Sequence, residues 1–156
     1  MPIRSLFCSV FLALSVLSGC GGISDQKRLE NALGDAPLQT VVKVGGKILI
    51  DGEPAEDVSA LVYSADGTKR IDFIAPVASN AEGDFVCTTY KQGDGLPVGE
   101  YKLAFDGRKF KRSKGEFSGI DKLNGRYSNA LKSTFTLSVV EGEPQTELEF
   151  DLKSKN

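Results

Sequence analysis

The 156-residue chain has no histidine, no tryptophan, one methionine and three cysteines. Without histidine there is no Ser-His-Asp triad, no Cys-His nucleophile and no imidazole metal ligand. Without tryptophan the commonest sugar-stacking ring is missing. Charge of either sign is not in excess: 19 Lys+Arg stand against 21 Asp+Glu, a net charge of -2. That balance argues against a chain-wide nucleic-acid binder and leaves room for a local basic patch. No apolar run approaches the ~20 residues that span a bilayer. A chain 40% hydrophobic and 26% charged is predicted to be neither disordered nor an integral membrane protein. Seventeen glycines between short apolar stretches point to strands and turns rather than a helical bundle.

The N-terminus carries an address. Arg4 is the sole charge before Asp25, and an apolar run from Leu6 to Leu17 follows it. A positive start and a short apolar stretch form a secretory signal, predicted over residues 1–19. The stretch ends in Leu17-Ser18-Gly19-Cys20, which resembles the lipobox of bacterial lipoproteins. There, small residues let the scissile segment lie extended in the peptidase, and the cysteine thiol carries the lipid. Cys20 is therefore the expected lipidation site and the first residue of the mature chain. Losing Arg4 leaves 18 basic against 21 acidic residues, a mature net charge of -3. Gly21 after the cysteine, where Asp would favour inner-membrane retention, leans toward an outer membrane if the cell has one. With Cys8 removed and Cys20 acylated, Cys87 is alone, so no intrachain disulfide is expected.

Residues 20–40 read as a lipidated tether, partly helical at best, with Ser24–Leu33 as the helical stretch, Gly34 as its stop and Pro37 breaking whatever precedes the first strand. From Val41 the apolar period becomes two. Seven strands are predicted: Val41–Ile50, Val58–Ser64, Ile71–Ala78, Phe85–Tyr90, Glu100–Asp106, Ser133–Val140 and Thr146–Leu152. Turn chemistry at Asp51-Gly52-Glu53-Pro54, Asp66-Gly67 and Asn80–Asp84 separates them. One apolar face per strand predicts an all-β domain over 41–152, a seven-stranded antiparallel β-sandwich, with 153–156 as a tail.

Several stretches resemble carboxypeptidase regulatory-like, or transthyretin-like (prealbumin-like), domains. They are Val44–Pro54 with its D-G-x-P turn, Asn80–Phe85 with its acidic-Gly turn, and Leu96-Pro97-Val98-Gly99-Glu100-Tyr101. Thr88–Gly95 looks like bacterial surface lipoproteins built on this domain. The resemblance implies a transthyretin-like sandwich and a structural role for these motifs. Tyr101 resembles a tyrosine corner, ring in the core and hydroxyl on a loop backbone. The purine-breakdown hydrolase activity found on this fold relies on histidines and does not carry over. Nor does zinc carboxypeptidase activity, since the resembling domain is only an accessory there.

Candidate sites are few. Cys87 alternates with Phe85 and Thr89 and is expected to be a buried, inert thiol. Lys43 or Lys47 with a Glu and Asp151 could imitate an isopeptide bond across strands, yet all alternate outward. Asp51-Gly52-Glu53, Glu56-Asp57 and Asp121–Asn124 offer oxygen ligands without EF-hand spacing and read as solvated turns. No metal or cofactor is expected. The segment Gly107–Leu131 stands out, with seven basic and two acidic residues, a charge of +5, and interleaved Phe110, Phe117 and Tyr127. Within it Arg108, Lys109, Lys111, Arg112 and Lys114 are the candidate anion-binding residues. The alternative is a long solvated crossover whose rings pack on the edge of the fold.

The reading is a non-catalytic cell-envelope protein held to a membrane by its N-terminal lipid. Its domain would bind an envelope polysaccharide or protein partner, and no nucleic acid. A structural envelope spacer is the alternative, and a carboxylate-only hydrolase the least favoured one.

Overall fold

The computed structural model describes residues 38–71, 74 and 76–154. The signal peptide, Cys20, most of the tether with its expected helix, and the last two residues lie outside the described residues. The described chain is all-β, with several sheets, mostly of antiparallel pairs, and none closed into a barrel. The strands are β1 (Val41–Val42), β2 (Val44–Ile50), β3 (Glu53–Pro54), β4 (Ser59–Ser64), β5 (Val77–Ala78) and β6 (Asp84–Val86). They continue with β7 (Leu96–Pro97), β8 (Gly99–Asp106), β9 (Lys109–Lys111), β10 (Glu116–Ser118), β11 (Thr136–Val139) and β12 (Gln145–Leu152). A single 3-10 turn at Ala130–Lys132 is capped by Asn129, whose side chain accepts from the Leu131 amide.

Two four-stranded sheets carry the core. One runs β11-β8-β4-β5; in the other, β2 pairs with β12 on one side and with β3 and β6 on the other. Alternation puts Val44 and Ile48 of β2, Phe85 of β6, and Phe150 and Leu152 of β12 on the inner face of the second sheet. Opposite them come Ala60 and Val62 of β4, Tyr101, Leu103 and Phe105 of β8, and Leu137 and Val139 of β11. The two inner faces form one cluster. Phe105 is fully buried at its centre, 5.2 Å from the Phe135 ring and 5.3 Å from that of Phe150.

The structure corrects the seven-strand antiparallel expectation in three ways. First, β12 runs parallel to β2, pairing Phe150 with Ile48 and Leu152 with Ile50. The turn after β11 carries the chain from one sheet to the other instead of reversing it within a sheet, and alternation carries no information about direction. Second, β4 and β8 are buried on both faces. Outward-facing Leu61 and Ala104 form a second cluster with Ala130, covered by Tyr63 and Phe117. Third, the long crossover contains its own hairpin, β9–β10, which lies over that outer face.

The strand expected over Ile71–Ala78 shrinks to β5. Ile74 is buried, and its amide donates to the Ile71 carbonyl at 3.1 Å in a turn. Residues 72, 73 and 75 of that stretch lie outside the described residues. The strand expected through Tyr90 ends at Val86. Beyond it, Asp94 gathers the amides of Thr89, Tyr90 and Lys91 at 2.8–2.9 Å, folding them into a loop.

Two motifs singled out in the sequence hold local geometry. Gly83, at φ 79, lies so near the Ile48 carbonyl that a Cβ would stand 2.6 Å from its oxygen. Tyr101 is buried, and its hydroxyl donates to the Pro97 carbonyl at 2.8 Å. That bond ties β7 back onto β8 four residues later.

Candidate functional site

The β9–β10 hairpin forms because Lys109-Phe110-Lys111 alternates and Gly115, at φ 67, permits the tight return after Lys111. The Lys114 and Gly115 amides both donate to the Lys111 carbonyl, at 3.1 and 2.9 Å. Phe110 pairs with Phe117 across the strands, ring centroids 5.1 Å apart. Phe117 packs on the Leu61–Ala104–Ala130 cluster. The buried Ser59 of β4 fastens the base of the hairpin. Its hydroxyl donates to the Arg108 carbonyl at 2.7 Å and accepts from the Phe110 amide at 2.9 Å. Asp121 closes the other end, taking the Gly107 and Leu123 amides on one oxygen and the Gly125 amide on the other.

This scaffold divides the five candidate basic residues. Arg108 makes a two-point contact with Asp106, at 2.8 and 2.7 Å, and its guanidinium sits 5.3 Å from the Phe117 ring centroid. The hydrogen bond and charge of Asp106 push the Arg108 pKa up. Lys109 reaches Asp57 at 2.8 Å, and that hydrogen bond likewise raises its pKa. Lys114 lies 3.8 Å from Glu116. Lys111 and Arg112 have no ion pair among the described residues. Arg108 therefore serves the fold, while Lys111 and Arg112 leave positive charge available to solvent. The rings are not idle contacts either: Tyr127 lies 5.9 Å from Phe135 beside the main core, and its hydroxyl accepts from the Lys153 amide.

Arg112, the first residue of the turn after β9, lies beside a groove that Phe110 also lines. The groove, about 520 Å³, is walled also by Val77, Val86, Thr88 and Gln92. A second groove, about 530 Å³, lies over Gly45 and Gly46 and is bordered by Lys43, Lys47, Asp84, Glu147 and Glu149. Its glycine floor is required. A Cβ on Gly46 would meet the Leu148 carbonyl oxygen at 1.9 Å, where β12 bulges against β2.

The other sequence candidates take structural places. Cys87 is 3% exposed, and burial pushes its thiol up to about 12. Lys47 pairs with Asp84 at 3.4 Å and stands level with Glu149 rather than Asp151. Asp151 instead accepts from the Gly52 amide at 3.0 Å and pairs with Lys153. The isopeptide constellation of Lys43, Lys47 and Asp151 is therefore not assembled. Asp51 accepts from the Ser154 hydroxyl, and Asp57 holds Lys109, so these acids close turns and ion pairs. Among the described residues no group of three His, Cys, Asp or Glu side chains could hold a metal ion. Sequence reasoning missed Ser59 and Asp94 as organising residues and read Asp121 only as part of a solvated turn. The one signal was polarity at a strand position or beside glycine.

No protein-family model and no curated protein matches the chain. Among solved structures, a 9R-lipoxygenase from Cyanothece PCC8801 aligns with 83% of this chain at 12% identity and a TM-score of 0.32. The chain spans 19% of that protein's length, and the likeness carries no argument about activity.

Proposed function

We propose that the protein is a non-catalytic, lipid-anchored component of the cell envelope, leaning to an outer membrane. Its domain, read as a transthyretin-like β-sandwich, acts as a binding module for an anionic envelope polymer. Support for the anchor is the Leu17-Ser18-Gly19-Cys20 sequence after a short apolar run. Several acyl chains at Cys20 would hold the protein stably, where one alone binds marginally. Support for the fold is the shared core of the two sheets together with the Tyr101–Pro97 bond and the Gly83 turn.

The observation that carries the binding role is the docked hairpin. A segment of charge +5 is fixed by buried Ser59 and the Phe110–Phe117 pair, yet it leaves Lys111 and Arg112 without acidic partners. A spacer has no need of such a rigid, one-sided display. Exposed cations of this density attract polyanions over about 8–10 Å at physiological salt.

The test has two arms. Cells expressing the full chain are fed labelled fatty acid, alongside the Cys20→Ala variant. Label should appear in the wild type alone, and the variant should leave the membrane fraction or remain unprocessed. Label on the variant equal to wild type would refute the anchor. Capture of the full chain by anionic polymers should exceed capture by a neutral one and fall steeply with salt. Equal capture by both would leave the spacer role ahead.

A further inference from the structure

We propose that the groove between β5, β6 and β9 is a binding site for an acidic sugar residue, with Arg112 as the group that takes its anion. The inference rests on the binding-module reading and names its ligand class and contact residues.

The groove measures about 520 Å³, within the range of about 300–1,000 Å³ usual for small-molecule sites. Its walls are those such a ligand needs. Half-buried Phe110 lines the groove with its ring, and Val86, 52% exposed, adds apolar area beside the buried Val77. A pyranose ring has a face of C–H groups that packs on such surface, while its hydroxyls need polar partners. Gln92 and Thr88 stand at the groove for that purpose. The Thr88 hydroxyl oxygen accepts from the Gly93 amide at 3.0 Å, so its own hydrogen is directed elsewhere.

Arg112 distinguishes the site from a general basic surface. Of the five basic residues at the hairpin, Arg108, Lys109 and Lys114 are neutralised by Asp106, Asp57 and Glu116. Lys111 is unpaired, but it alternates away from the face that carries Phe110 and does not border the groove. Arg112 alone is both unpaired and at the groove. Its planar fork matches a carboxylate or a sulfate with two parallel hydrogen bonds. The carboxylate facing it from the same groove is Asp84, which is engaged with Lys47 at 3.4 Å.

The neighbouring groove limits the ligand further. It shares Asp84, Phe85, Val86 and Gly93 with the first, so a chain can pass from one to the other over Val86. There Lys43 and Lys47 face Asp84, Glu147 and Glu149, a balance that repels a densely charged polyanion. The site therefore suits a glycan with one acidic residue at Arg112 and neutral sugars beyond, rather than a uniform polyanion.

The experiment uses the full chain in non-ionic detergent and four probes. These are immobilised polygalacturonate, a largely methyl-esterified polygalacturonate that retains sparse acids, dextran sulfate and plain dextran. Arg112→Gln should lower affinity for the sparse-acid polymer by about tenfold or more, the worth of one charge-assisted pair. Arg112→Lys, which keeps charge and loses the fork, should fall between. Lys111→Gln should change affinity by less than about threefold, and Phe110→Leu should weaken the polyuronates more than dextran sulfate. Melting temperatures of the variants identify any that fail to fold. Equal losses for Arg112→Gln and Lys111→Gln would overturn the site and leave a diffuse field. Binding to none of the charged probes above dextran would overturn it too. Failure of fatty-acid labelling would remove the lipid anchor and leave this result unaffected.

Discussion

Tyr101→Phe isolates one atom. The ring stays in the core, and only the hydroxyl that donates to the Pro97 carbonyl at 2.8 Å is removed. Pro97 is fully buried, so its carbonyl has no water to turn to. The partner strand offers no replacement. The Val98 amide donates to the Thr40 carbonyl across β1–β7, and antiparallel pairs alternate. The adjacent Val41–Pro97 pair therefore points its backbone groups away from β1, toward Tyr101. Proline fits there because no amide is needed. Losing a neutral hydrogen bond costs about 0.5–1.5 kcal/mol, and stranding a buried acceptor raises the cost toward 3 kcal/mol. The expectation is a loss of about 1–3 kcal/mol, or roughly 4–12 °C in melting temperature for a domain of this size. Urea denaturation should show a lower midpoint at unchanged slope, because the surface exposed on unfolding is the same. Hydrogen exchange at Val98 should quicken, since a two-residue pairing and the Val98–Thr40 bond hold β7 to β1 and this tie secures it from the other side. A change below about 0.3 kcal/mol with no effect on Val98 exchange would refute the reasoning, showing that the hydroxyl does not hold β7.

Two further outcomes follow from the titrating groups. Cys87, with its thiol pushed up to about 12 by burial, should react with a thiol reagent about a thousandfold more slowly in the native state than after denaturation. Rapid native labelling would show that its strand face is open to solvent. Asp66 is held at about 2, chiefly by the Ser64 hydroxyl and then by the Thr68 amide and hydroxyl. Its folded pKa is depressed, so its contribution is fully present above the ordinary 3.8 and is lost as pH falls through about 2. The stability gap between wild type and Asp66→Asn should therefore close between pH 4 and 2; a gap constant over that window would remove Asp66 from the acid response.

Alternation alone identified the strands whose faces differ sharply in polarity. Val44, Ile48, Phe85, Leu103, Phe105, Leu137, Phe150 and Leu152 were legible as core because a strand's period of two is a local property. The Asp51-Gly52 and Gly83 turns were legible for a similar reason, since each needs a backbone conformation few residues tolerate. The lone buried Cys87 and the basic segment were likewise visible in the sequence. The direction of β12 was not, because side-chain alternation is the same for parallel and antiparallel neighbours. Nor was the second buried face of β4 and β8, which exists only because Phe117 and Ala130 fold back over Leu61 and Ala104. The candidate site shows the same division. Sequence supplied the five basic residues; tertiary structure decided which distant acids they meet, as Lys109 meets Asp57. Arg108 meets Asp106 two residues away, a local pair, whereas the Lys109–Asp57 pair and the place of Arg112 beside Val77 and Val86 are settled by contacts between residues far apart in the chain.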